Sequence, residues 1–271
     1  MQQLHAYLKR IGYGGPLSTS AMTLRGIHRA HLLAIPFENV DVQLDRVPSL
    51  DIETIVEKIV IARRGGWCYE MNALLAWALR QLGFTVDYIA GAAGREKRGA
   101  AAEMNHLALI VRLDVPYLAD VGFGSGSLLP LPLAVGTYND GRFDFSLSRD
   151  GDWWRFRSPS HGGGTYDFKE TPFLLQAFTA KAQWLATSPE SSFVTNLFCT
   201  KSFEDGYAVL TNCALEQHHA GKIEAESAQN AVSLARLLDV HFDLHVEPLD
   251  RLWERVEKQH QHMIRKKVRG F

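Results

Sequence analysis

The sequence predicts an α+β fold in three parts: an N-terminal helical bundle over residues 1–84, a central β-barrel over 85–188, and a mixed α/β lid over 189–271. Three observations predict it. Apolar residues in the first third recur at helical spacing. The middle third switches to a period of two, in short runs separated by Gly, Asp and Pro. The last third mixes both patterns, and no repeat or low-complexity linker divides the chain, so the parts are expected to pack as one unit.

The elements follow in order. "STSAMTLRGIHRAHLLAIPFENV" offers caps at Ser18 to Ser20, apolar Leu24, Ile27 and Leu32, and a stop at Pro36. "SLDIETIVEKIVIARR" places Ile52, Ile55, Val56, Ile59 and Val60 on one helical face. Ser49 is the expected cap, and Asp51 and Glu53 suit the first turn. A further helix should run from about Cys68 to Leu82, with Gly83 as terminator. "FTVDYIAG", "NHLALIVRL", "YLADVGFG", "RFDFSLSRDGDWWRFRS" and "YDFKE" read as strands, with a hairpin signal at Asp150-Gly151. Beyond them, "PFLLQAFTAKAQWLAT", "SAQNAVSLARLLDVHF" and "PLDRLWERVEKQHQHMIRKK" read as helices, and "GYAVLTNCALEQ" as a strand.

The totals exclude several functions. The 271 residues are 46% hydrophobic and 22% charged, enough for a real core. A net charge of −1 gives no field that favours nucleic acid. No run approaches the ~18 apolar residues of a membrane span, and "MQQLHAYLKR" lacks the apolar core of a secretion signal. A cytoplasmic monomer or homodimer is expected, with no membrane or nucleic-acid partner. No metal site is expected either, because His218-His219 point apart and His260-x-His262 do not share a helical face.

The chain has three cysteines, Cys68, Cys199 and Cys213, too few and too odd in number for a disulfide framework. Cys68 stands out. It follows Arg63, Arg64, Gly65 and Gly66 at a helix start, where free N–H groups favour an anion and the arginines add positive potential. The glycines let the backbone turn sharply and a substrate approach. A nucleophilic thiol needs an imidazole within reach, and the imidazole needs an orienting group. His106 heads an alternating strand, and Asp120 ends the next one before a run of glycines. Cys68, His106 and Asp120 are therefore compatible with a cysteine-protease-like core. Taken alone, each also fits an ordinary structural role, as a buried thiol, a backbone-satisfied histidine and a turn aspartate.

A resemblance shifts that balance. "RRGGWCYEMN" resembles the cysteine signature of the arylamine N-acetyltransferases, and "IPFENV" at 35–40 a second signature upstream. "NHLALIV" and "ADVGFG" resemble the segments that supply the family's histidine and aspartate, and "SSFVTNLFCTK" a weaker C-terminal motif. Two departures are mild. Trp67 stands where Phe or Tyr is more usual, and Met71 follows Glu70.

The resemblance implies the same three-part fold and ping-pong acetyl transfer from acetyl-CoA to aromatic amines or hydrazines. Cys68 would be the acetyl-accepting nucleophile, His106 its base and Asp120 the orienter. It also implies a cofactor loop at Gly122, Gly124, Ser125 and Gly126, whose N–H groups could nest the pyrophosphate. Phe37, Tyr69 and Phe123 would flank an apolar slot for the amine. Glu70 is expected to hold the arginine pair, and Asn72 to hold backbone. An amide synthase or thiol hydrolase of related architecture, and a non-catalytic binding protein, are the competing expectations.

Overall fold

The computed structural model describes residues 2–124, 126–158, 164–219 and 222–269. The chain opens with α1 (Gln2–Arg10) and α2 (Ala21–Ala34). Ser20 caps α2 by accepting the Thr23 N–H. A two-residue strand β1 (Phe37–Glu38) and short helices α3 (Val40–Gln43) and α4 (Ile52–Val56) follow. Asp51, not Ser49, caps α4, because its carboxylate accepts the Thr54 N–H at 2.9 Å. The single helix expected through Arg64 instead widens into a π turn, Glu57–Ile61, where the Ala62 N–H reaches back to the Glu57 carbonyl. The buried Arg10 guanidinium takes the carbonyls of Ile59, Ala34 and Arg63, so this corner is satisfied by a side chain rather than by a helical ladder.

Helix α5 (Cys68–Gln81) is the central element. Eleven of its 14 residues are buried, so it has no solvated face and packs as core. Gly83, at φ +87°, ends it as expected.

An eight-stranded antiparallel sheet then curls into a nearly closed barrel. Its strands are β2 (Thr85–Ala93), β3 (His106–Arg112), β4 (Tyr117–Ala119), β5 (Leu131–Pro132), β6 (Gly136–Asn139), β7 (Asp144–Asp150), β8 (Trp153–Arg157) and β9 (Thr165–Phe173). Their order is β5-β4-β3-β2-β9-β8-β7-β6. Alternation sends Ile89, Ala108, Ile110, Phe145, Phe156 and Phe168 to the inside of the curl, while Leu107, Leu109 and Val111 pack on the helices. A short helix, α6 (Arg95–Arg98), rises between β2 and β3. The β7–β8 turn falls at Gly151-Asp152, with Gly151 at φ +56°.

The last third carries α7 (Thr179–Thr187), α8 (Ser192–Thr195), β10 (Phe198–Ser202), β11 (Gly206–Thr211), β12 (Ala214–His219), β13 (Lys222–Ser227), α9 (Ala231–Phe242) and α10 (Leu249–Arg269). "GYAVLTNCALEQ" is a hairpin rather than one strand. It reverses at Asn212-Cys213, with Asn212 at φ +54°, a conformation asparagine tolerates. These strands form a second sheet in the order β1-β10-β11-β12-β13. Its first strand comes from the N-terminal part of the chain, so the last third is stitched to the first. Among the described residues no helix is long and apolar enough to cross a membrane, and no cluster of His, Cys, Asp or Glu could hold a metal ion.

Candidate active site

Cys68 begins α5, where position alone leaves its backbone N–H without a partner in the helix. His106 begins β3 and pairs with Gly91 of β2. A Cβ at Gly91 would come within 2.9 Å of the His106 ring, so only glycine lets the imidazole lie against β2. Asp120 follows β4 directly. The His106 Nε2–H donates to Asp120 Oδ2 at 2.7 Å, and the Cys68 sulfur lies near enough to the same imidazole to favour its charged form. With Nε2 taken, the sulfur is left to Nδ1. Cys68 lies on the floor of a cleft of about 590 Å³, which His106 also lines.

Electrostatics make the imidazole a cation. Burial opposes its charge, but the Asp120 carboxylate and the Cys68 sulfur outweigh burial and raise its pKa to about 10. Burial likewise opposes the Asp120 charge. His106, the Asn72 side chain and the Gly122 N–H still hold its carboxyl below the usual carboxylate range. Asn72, fully buried on α5, joins three elements. Its amide donates to the Leu107 carbonyl at 2.6 Å and to Asp120 Oδ1 at 2.9 Å, and its oxygen accepts the Val121 N–H at 3.0 Å. Asn72 thus holds side chain as well as backbone.

The charges beside Cys68 are arranged otherwise than expected. Glu70 does not hold the arginine pair. It faces inward, meets Lys58 Nζ at 2.9 Å and accepts the Trp67 N–H, closing the start of α5. Burial pushes its carboxyl up, against the pull of Lys58. Arg64 instead pairs with Glu38 at 2.7 Å and Asp41 at 3.4 Å, and Arg63 turns outward to Asp243. Arg64 therefore neutralises buried carboxylates and Arg63 a surface one, so both are engaged away from the thiol. Gly65 and Gly66 serve strand approach: the Glu38 N–H donates to the Gly66 carbonyl, and a Cβ on Gly65 would fall 2.3 Å from the Pro36 oxygen.

Comparisons with known proteins cover most of the chain. A family model described as N-acetyltransferase covers residues 20–251. The arylamine N-acetyltransferase of Escherichia coli (strain K12) is 33% identical over 253 residues, spanning 90% of this chain and 89% of the relative. The chain belongs to the arylamine N-acetyltransferase family. A Salmonella typhimurium member, named arylamine N-acetyltransferase / N-hydroxyarylamine O-acetyltransferase, is 34% identical over 90% of this chain and 89% of its own. The solved Mycobacterium marinum arylamine N-acetyltransferase in complex with CoA superposes with a TM-score of 0.87 at 29% identity, over 94% of this chain and 98% of that one.

Within this arylamine N-acetyltransferase fold the remaining candidates divide. Phe37 and Phe123 line the cleft, and Phe123 meets the His106 ring edge-on at 5.2 Å. Tyr69 does not line it. It is fully buried, and its hydroxyl donates to the Met104 carbonyl at 2.7 Å. Trp67, also fully buried, packs edge-on against Phe193 and supports the cleft wall from behind. Gly122 and Gly124 reach the cleft, Gly126 lies behind it, and Ser125 falls outside the described residues. The Gly122 N–H already donates to Asp120 Oδ1 at 2.9 Å, so it is not free to bind a phosphate.

Sequence reasoning left Phe193, Phe198, Lys97 and Arg98 unassigned, and all four line the cleft. "SSFVTNLFCTK" marked the two phenylalanines without giving them a role. Asn39 explains their placement: its amide donates to the carbonyls of Phe193 and Asn196, and its oxygen accepts the Phe198 N–H at 2.7 Å. The "IPFENV" segment therefore supplies one wall, Phe37, and ties down the other.

Proposed function

We propose that the chain transfers an acetyl group from acetyl-CoA to an arylamine or arylhydrazine, with Cys68 carrying the acetyl between two half-reactions. The observation that carries this reading is the 2.7 Å bond from Asp120 to His106 Nε2, which leaves the other face of a cationic imidazole to Cys68 at the floor of an aromatic-walled cleft.

In the first half-reaction the Cys68 thiolate attacks the thioester carbonyl. The carbon–sulfur bond to CoA breaks, and the His106 imidazolium gives its proton to the departing sulfur. The Cys68 N–H at the start of α5 is one donor for the oxyanion formed on the way. In the second, the amine nitrogen attacks the acetyl-cysteine. His106, now neutral, takes the nitrogen's proton, and Cys68 departs as thiolate, which restores the starting ion pair. Phe37, Phe123, Phe193 and Phe198 offer ring edges and faces to an aromatic acceptor. Three free, buried cysteines suit the expected cytoplasmic setting.

For the acyl donor, the reading moves from the glycine loop to the rim. Lys97 and Arg98 are exposed at the cleft mouth, where a pyrophosphate or ribose phosphate would meet them. Replacing both by alanine should raise KM for acetyl-CoA up to about tenfold at low salt and less at high salt, since such exposed contacts are screened. The rate at which an arylhydrazine strips acetyl from Cys68 should not change.

The reading itself is tested by intact-protein mass spectrometry after mixing with acetyl-CoA alone. One added acetyl group is expected on the wild type and none on Cys68→Ser. An arylhydrazine should then remove it far faster than water does. Rapid loss to water alone would mark a hydrolase, and an acetyl group that every arylamine leaves in place would end the acceptor assignment.

A further inference from the structure

His28 lies on α2, almost wholly buried, beneath the segment that carries Asp120, and it does not line the cleft. Its Nε2 accepts the Asp120 backbone N–H at 3.1 Å. Its Nδ1 meets the Leu128 carbonyl at 3.0 Å. A backbone N–H only donates and a carbonyl only accepts, so the tautomer is fixed, with the proton on Nδ1. Burial pulls the His28 pKa down to about 4, which keeps the ring neutral across the working range.

These two contacts sit at opposite ends of one segment, residues 120–128. That segment starts with the Asp120 carboxylate that holds His106. Gly122 follows, packed so closely on Cys68 that a Cβ would fall 2.6 Å from the Cys68 Cα. Phe123 comes next, edge-on to the His106 ring. Asn72 secures the Val121 N–H from the α5 side, and Asp140 accepts the Leu128 N–H at 2.8 Å. The His28 ring hydrogen-bonds to both the Asp120 end and the Leu128 end.

We infer that His28 is a positioning residue, a neutral imidazole that clasps both ends of the 120–128 segment and thereby fixes where the Asp120 carboxylate meets His106. The inference rests on reading Cys68, His106 and Asp120 as the acyl-transfer site. Substituting an apolar side chain strands two buried backbone groups, one of them on Asp120 itself. Because His28 touches neither the cleft nor the acyl donor, its loss falls on the chemical step and not on substrate binding.

The test compares His28→Leu, His28→Gln and His28→Asn. Stopped-flow acetylation of Cys68 is read beside ring NMR of His106. His28→Leu should slow acetylation roughly tenfold or more, leave KM for acetyl-CoA unchanged, and lower the pH at which His106 titrates. Glutamine carries an acceptor and a donor on a long enough stem and should recover most of the lost rate, whereas asparagine, one carbon shorter, should not. Equal rates for the glutamine and asparagine variants overturn the clasp. So does a His28→Leu protein that melts lower but acetylates normally with an unmoved His106 titration. If the leucine variant does not fold, the other two decide. In the wild type, ring nitrogen NMR of His28 should report the neutral Nδ1–H form from pH 6 to 9, and an Nε2–H form overturns the inference even in a protein that takes up no acetyl. Failure of acetyl uptake with the Nδ1–H form intact would instead sink the proposed function.

Discussion

Asp120→Asn should lower the rate of Cys68 acetylation on the order of 10³–10⁴-fold while the fold survives, the scale set by removing the orienting carboxylate of comparable triads. Burial alone would hold the His106 ring neutral; Asp120 and the Cys68 sulfur raise its pKa to about 10. An amide in place of the carboxylate removes the largest stabilising charge, so the ring should titrate well below its wild-type value. The imidazolium needed to protonate the departing CoA is then scarce at neutral pH. Ring NMR would follow the titration directly, and stopped-flow mixing with acetyl-CoA would follow the rate.

The stability of the two proteins should diverge with pH in a definite sense. In the wild type the folded His106 pKa lies above the ordinary 6.5. Its contribution is fully present below about 6.5 and is lost as pH rises through about 10. Asp120 has the opposite sign, because its lowered carboxyl contributes above the ordinary carboxylate range and loses that as pH falls. The two contributions are the two sides of one ion pair and count once. Wild-type Tm should therefore fall between pH 7 and 10, and the Asp120→Asn curve should be flatter there. Parallel curves would mean the pair contributes nothing to folding.

Gly122→Ala should be nearly as damaging, through geometry and not charge. The added methyl would stand 2.6 Å from Cys68 Cα, 2.7 Å from Asn72 Nδ2 and 2.9 Å from Cys68 Cβ. The nearest of these is backbone at the start of a buried helix and cannot swing aside. The segment must lift, taking the Asp120 carboxylate away from His106 and the Gly122 N–H away from Asp120. A cost of about 1–3 kcal/mol in stability is expected from overpacking of this kind, with acetylation reduced by a hundredfold or more. Gly124→Ala provides the contrast. Its φ of +67° disfavours alanine, but the nearest atom to a Cβ there is Thr200 Oγ1 at 3.6 Å. It should cost about 1 kcal/mol of backbone strain and little rate. Denaturant melts and the same stopped-flow assay separate the two variants, and equal behaviour would refute the argument.

What the sequence made legible was whatever periodicity or turn chemistry encodes locally. Helix α5 with its Gly83 stop, the strands that carry His106 and Asp120, and the β7–β8 turn all declare themselves within a dozen residues. What it hid depends on contacts between distant segments. Tyr69 sits in the cysteine signature and invites a substrate role, yet its hydroxyl is spent on Met104, 35 positions away. Nothing near Glu70 shows that Lys58 rather than an arginine will meet it. His28 reaches residues 92 and 100 positions further on. β13 is hard to read because all six of its residues are exposed and only Ile223 and Ala225 alternate with its charged residues, a short and weak period-two signal. The hairpin in "GYAVLTNCALEQ" was masked by an Asn-Cys turn in place of Asn-Gly.

The pairing of β1 with β10 has a consequence for biosynthesis. The Phe198 N–H closes on the Asn39 side chain across 159 positions. A ribosome makes Asn39 and Cys68 early and Phe198 late. On the nascent chain the thiol therefore stays open along one flank through most of translation, and the aromatic wall that screens it arrives among the last long-range contacts to form.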